Sequence, residues 1–272
     1  MASAWTLDPL YLAVPIATVV LYAVGQIRLW RQAGAGRGVS IPAATAFWLG
    51  VAVLFLALVW PLDAFGEWSL AAHMAQHMLL LAVAPPLLLA GQPWAVAAHA
   101  LPRTWSRWLH RTGSATHARL LAALVSATLA QGAVMWLWHL PAATTAALDN
   151  DGLHVLMHAS FLIAGLWFWS SVMRCVRDPR AGAAPAFVAL VAVMMLMGLL
   201  GALLTFSRRT LYPIYVTRAP ELGMDPLIDQ QLAGLIMWVP ACVPYLLGGL
   251  WILGKAFTRN AAADHSDTQR TH

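Results

Sequence analysis

Five histidines carry the spacing a helical metal site needs: His73, His77, His139, His154 and His158. His73 and His77 stand i, i+4, as do His154 and His158, and on a helix that spacing puts both side chains on one face. Two such pairs can each offer two imidazole nitrogens to one ion. Methionines accompany them. Met74 and Met78 adjoin the first pair, Met157 sits inside the second, and Met237 lies further along the chain. Imidazole with thioether is a soft donor set that suits Cu(I), whereas oxygen-rich sites suit Mg or Ca. Copper, as Cu(I), is the ion this set predicts.

Each residue also has an ordinary reading. A lone histidine near a helix end is commonly interfacial or bonded to a nearby carbonyl. His139, beside Trp136 and Trp138, fits an aromatic belt equally well. Methionine in an apolar helix is most often packing. The last polar cluster reads Asp225-Pro226-Leu-Ile-Asp229-Gln230-Gln231. Asp225 before Pro226 is an N-cap with proline at the first helical position. Asp229 stands one turn further in and is not needed as that cap. It reads as a metal ligand, as an acceptor fixing a histidine tautomer, or as a complement to its own helix dipole. The candidate ligand set is therefore His73, His77, His139, His154, His158, Asp229 and Met237.

The elements that must position these residues are membrane helices. The chain has 272 residues, 60% hydrophobic and only 10% charged, with a mean hydropathy of +0.68. A soluble domain carries about a quarter charged residues, so lipid is the expected solvent. Seven segments reach the roughly 20 apolar residues a span requires: 10–29, 43–61, 70–91, 120–140, 153–173, 184–206 and 232–254. The expectation is an all-α, polytopic bundle of seven transmembrane helices, one domain over 1–259, with a polar, disordered cytoplasmic tail at 260–272. Pro85 and Pro86 predict a kink in the third span. Alternating helix directions put His73 and His77 at the start of span three, His139 at the end of span four, and His154 and His158 at the start of span five. All five then share one depth. Because the first pair lies within two turns of the membrane surface, its loss is expected to leave no large cavity.

Charge sets the orientation. Arg28, Arg31, Arg37, Arg103, Arg107, Arg111, Arg119, Arg174, Arg177, Arg180, Lys255, Arg259 and Arg270 all fall on one side, leaving three of the sixteen basic residues, Arg208, Arg209 and Arg218, on the other. The positive-inside rule makes the crowded side cytoplasmic, with the N-terminus outside and the C-terminus inside. The acids Asp8, Asp63, Glu67, Asp149, Asp151, Glu221, Asp225 and Asp229 gather outside. The net charge of +5 thus reports topology, not nucleic-acid binding. Arg103, Arg107 and Arg111, interleaved with Trp105 and Trp108, predict a short helix lying on anionic lipid. The first residues carry no positive charge, and Arg28 and Arg31 follow the first apolar run. That reverses the order of a cleaved signal peptide, so a retained first helix is expected. Cys175 and Cys242 form no CxxC, which excludes a dithiol copper shuttle and predicts no disulfide. No nucleophile–base pair, Walker loop or dinucleotide fingerprint is present, so a non-enzymatic role is expected.

Three stretches carry a family likeness: His73-Met-Ala-Gln-His77-Met with Ala84-Pro-Pro-Leu-Leu-Leu-Ala-Gly-Gln-Pro93, Leu211-Tyr-Pro-Ile-Tyr215, and Asp229-Gln-Gln-Leu-Ala-Gly-Leu-Ile-Met-Trp238. With His154-x-x-x-His158, they resemble the CtaG family of membrane-embedded cytochrome c oxidase assembly factors. The single-span, cysteine-bearing copper chaperone of the same name has a different architecture. The resemblance implies a bacterial inner-membrane protein that helps copper reach the catalytic subunit of a haem–copper oxidase. It also implies a possible periplasmic copper donor as a second partner. Two other readings of the histidines stay open: a haem-binding electron carrier with two axial histidines, and an inner-membrane copper importer.

Overall fold

The computed structural model describes residues 9–101, 117–178 and 183–255, and these residues are helical with no strand. Helix α1 is Pro9–Ala33. Six further helices are long and apolar enough to cross a membrane: α2 (Ile41–Gly66), α3 (Leu70–Ala90), α4 (Ala118–Trp138), α5 (Asp151–Arg177), α6 (Ala184–Thr205) and α7 (Pro226–Lys255). The segment predicted as the first span lies in α1, which has 25 residues and stands outside these six; its side chains are described from residue 16 onward. The surface helix predicted around Arg103–Arg111 and the tail at 260–272 fall outside the described residues.

The proline kink predicted in α3 takes a specific form. The α-helix runs to Met78, a π-helical turn covers Leu79–Val83, and α-helix resumes over Ala84–Ala90. Pro85 and Pro86 supply no N–H, so carbonyls one turn earlier lose their helical partners, and a π turn is a common way to absorb such a break. The exposed carbonyls pack on Gly165 of α5. A Cβ there would lie 2.9 Å from the Leu81 oxygen and 2.8 Å from the Pro85 ring. Only glycine lets the α5 backbone come this close, and that approach brings the two histidine-bearing helices together.

Helix α7 begins at Pro226 rather than at 232. It runs to Trp238, breaks at 239–241 around Pro240, and continues over 242–255. Its upper half crosses α6 at Gly201 and Gly234, where a Cβ on Gly234 would sit 2.5 Å from the Gly201 oxygen. The N-cap read at Asp225 is present, its carboxylate accepting from the Leu227 and Ile228 N–H groups.

The main apolar core joins α3 to α7 through residues such as Leu80, Met135, Phe161, Phe168, Val193 and Tyr245. A smaller core ties α1 and α2 to the second half of α3, with Tyr22 stacked on Phe47 and donating to the Gly91 carbonyl at 3.0 Å. At this end Arg28 reaches the Ala100 carbonyl at 2.9 Å. At the opposite end Arg218 pairs with Asp149 at 3.6 Å and donates to the Glu67 carbonyl. The candidate site lies at that second end.

Candidate metal centre

Local sequence explains how the rings are presented. Ser69 caps α3, accepting from the Ala72 N–H, so the helix starts just before His73 and His77. Asn150 caps α5 in the same manner through the Leu153 N–H, placing His154 and His158 in the first two turns. His139 follows the last turn of α4, before Pro141 opens the short helix Pro141–Leu148.

The five imidazoles form one contiguous cluster. Ring centroids are 4.2 Å apart for His73–His77, 4.3 Å for His154–His158, 5.4 Å for His77–His139 and 5.6 Å for His77–His158. His73 adds contacts of 6.0 Å to His154 and 6.2 Å to His158. His73 and His77 are fully buried, His158 and His139 nearly so, and His154 is half-buried. Both ring nitrogens of His73, His77 and His158 lack a hydrogen-bond partner, as do the Nε2 atoms of His139 and His154. His139 Nδ1 lies 2.6 Å from the Met135 carbonyl. A buried polar group without a partner costs about 1–3 kcal/mol, so this many orphaned nitrogens in one place make the cluster a candidate ligand set. The burial also corrects one expectation. His73 and His77 are enclosed, so truncating both to alanine would open space rather than leave the surface intact.

One candidate ligand went unrecognised in the sequence. Asp63, in the short helical turn Leu62–Gly66 that ends α2, joins His154 and His158, and the ligand atoms of these three all lie within 4.8 Å of one another. Ligands held at about 2.0–2.2 Å from a common ion sit roughly 3.5 Å apart, so these three need shift only on the order of 1 Å to close on one. Gln76, one residue before His77, orients the carboxylate: its amide donates to Asp63 Oδ1 at 2.9 Å and to the Ala57 carbonyl at 2.7 Å.

Asp229 and Met237 make other contacts. The Asp229 carboxylate faces the N-terminus of α3, accepting from Ser69 Oγ at 2.7 Å, the Leu70 N–H at 2.7 Å and the Ala71 N–H at 3.2 Å. It thus holds the helix that carries His73 and His77. Met237 is wholly buried in the apolar core with Met74, Met78 and Met157.

The other motif residues fasten the loop between α6 and α7 over the cluster. Gln230 accepts from the Leu211 N–H at 2.6 Å and donates to the Arg209 carbonyl, and Gln231 donates to the Ser207 carbonyl. Tyr212 donates to the His139 carbonyl and Tyr215 to the Gly66 carbonyl, each at 2.7 Å. Burial pushes both hydroxyls above their ordinary value, so they stay protonated donors. Gly66 itself packs against His73, a Cβ there falling 3.5 Å from the ring Nδ1.

Uncharacterized proteins of Mycobacterium bovis, Mycobacterium tuberculosis and Mycobacterium leprae are each 27% identical over 255 residues, covering 89% of this chain. The chain spans only 38% of the length of those relatives. No solved structure matches it. The model of the cytochrome c oxidase caa3 assembly factors matches residues 20–259, which takes in the histidine cluster, the Asp63 turn and the loop above them. A multi-span helical protein matched over nearly its whole length, the chain belongs to the CtaG family of cytochrome c oxidase assembly factors.

Proposed function

We propose that this chain is a non-enzymatic assembly factor of the bacterial inner membrane that holds copper in its histidine cluster and passes it to the catalytic subunit of a haem–copper oxidase. The carrying observation is the set of five contiguous imidazoles, four of them buried, with eight ring nitrogens unpartnered. Family membership supplies the assembly role. Imidazole-rich sites suit copper. A cluster close to one membrane face can receive an ion from a periplasmic donor and release it sideways to a partner in the same bilayer. In cells lacking the chain, the oxidase is expected to contain haem but lack its catalytic copper, with excess external copper restoring part of it. An oxidase with full copper content, or a purified chain showing a Soret band in place of bound copper, would defeat this reading.

The same reading places seven spans in the membrane, α1 being the first. At 25 residues α1 extends about 37 Å at 1.5 Å per residue, enough to cross a hydrocarbon core of about 30 Å. The basic end, where Arg28 meets the loop after α3, faces the cytoplasm, and the histidine end faces out. A reporter fused after Arg259 is expected to read cytoplasmic, and one in the 141–150 segment periplasmic. Cleavage of the C-terminus by protease added outside would overturn the layout.

A further inference from the structure

Within the cluster, Asp63 differs from the imidazoles in donor chemistry, and Asp63 and His154 differ from the rest in access. Asp63 and His154 are half-buried, whereas His73 and His77 are fully enclosed. Asp63 brings a carboxylate oxygen to His154 and His158, with all three ligand atoms within 4.8 Å. An oxygen with two imidazoles suits a divalent first-row ion, while Cu(I) favours nitrogen and sulfur alone. The carboxylate is aimed by Gln76, which is itself held by the Ala57 carbonyl. His158 is 2% exposed and both its ring nitrogens lack partners. Glu67 and Asp151 join Asp63 in placing negative charge around His154, and an anionic rim draws cations toward a cleft. Inward, the His158 ring contacts His77 at 5.6 Å and His73 at 6.2 Å.

We infer that Asp63, His154 and His158 form a divalent-cation station at the aqueous mouth of the cluster, distinct from the enclosed imidazoles, with His158 the ligand shared between the two. The station rests on the reading of the cluster as a metal site but not on delivery to an oxidase.

Co(II), whose visible d–d bands report coordination, tests this on the full chain purified in detergent, each variant first checked for native helicity and a single elution peak. Wild-type protein is expected to bind Co(II) with imidazole and oxygen ligation. Asp63→Asn and, independently, His154→Gln should each weaken binding by about tenfold or more. The deep double variant His73→Leu with His77→Leu should still take up Co(II). Absence of Co(II) binding by folded wild-type protein overturns the station, as does unchanged affinity in Asp63→Asn. Loss of binding in the deep double variant overturns it too, since the two sets would then be one site. The oxidase's copper content reads delivery separately. If Co(II) binds as described while the oxidase gains its copper without this chain, delivery fails and the station stands.

Discussion

Replacing His73 and His77 together by leucine is expected to make the purified protein more stable while removing its Cu(I) and depriving the oxidase of catalytic copper. Both rings are fully buried, and none of their four nitrogens makes a hydrogen bond of good geometry. A buried polar group left unpaired costs about 1–3 kcal/mol, whereas an apolar group of the same shape removes that cost. Leucine is close to histidine in volume, and volume-conserving changes in a core cost under about 1.5 kcal/mol. His77 already lies against Phe161, ring centroids 4.3 Å apart, so an apolar replacement meets an apolar neighbour. Relief of the unpaired nitrogens then outweighs the repacking cost, read as a higher thermal midpoint in detergent without added metal. Alanine would be a poorer test, because the enclosed space it opens lowers stability for reasons unrelated to metal. Two results would each sink the metal reading of this pair. One is a lower midpoint with copper retained, which makes the rings structural. The other is a higher midpoint with copper retained, which puts the copper elsewhere.

The parts of the architecture set by local chemistry were legible. Apolar runs gave α2 to α7 to within a few residues at most ends, and the i, i+4 spacing put each histidine pair on one face. Alternating helix direction gave the shared depth. The rest depends on contacts between elements distant in sequence. Asp63 read only as one more outer acid, because nothing near it in the chain says that the end of α2 adjoins the start of α5. The enclosure of His73 followed from the loop bearing Tyr212 and Tyr215, whose hydrogen bonds reach back 73 residues to His139 and 149 to Gly66. The prolines in α3 signalled a break, but the packing of that π turn on Gly165 of another helix has no local sign. Asp229 was the hardest. A carboxylate one turn into its own helix carries no local sign that it caps a different one.

That residue provides the sharpest contrast between a ligand and an anchor. The first N–H groups of a helix have no partner within it, and Asp229 supplies one to Leu70 and Ala71 at the start of α3, with Ser69 Oγ as a third donor. In Asp229→Asn the side chain keeps its shape but trades an oxygen for an NH2 group. Whichever way the amide turns, a donor then faces Leu70 N–H on one side or Ser69 Oγ and Ala71 N–H on the other. Losing a buried cap of this kind costs about 2–4 kcal/mol, combining a capping contribution with a hydrogen bond to a carboxylate. The expected result is a thermal midpoint well below wild type. At low temperature, where the variant is still folded, its Co(II) affinity should stay close to wild type, because Asp63, His154 and His158 sit on α2 and α5. Asp63→Asn should behave in the opposite way, keeping the wild-type midpoint and losing Co(II). If Asp229→Asn instead keeps its midpoint and loses metal, its carboxylate is a ligand, and the anchoring of α3 lies with Ser69 alone.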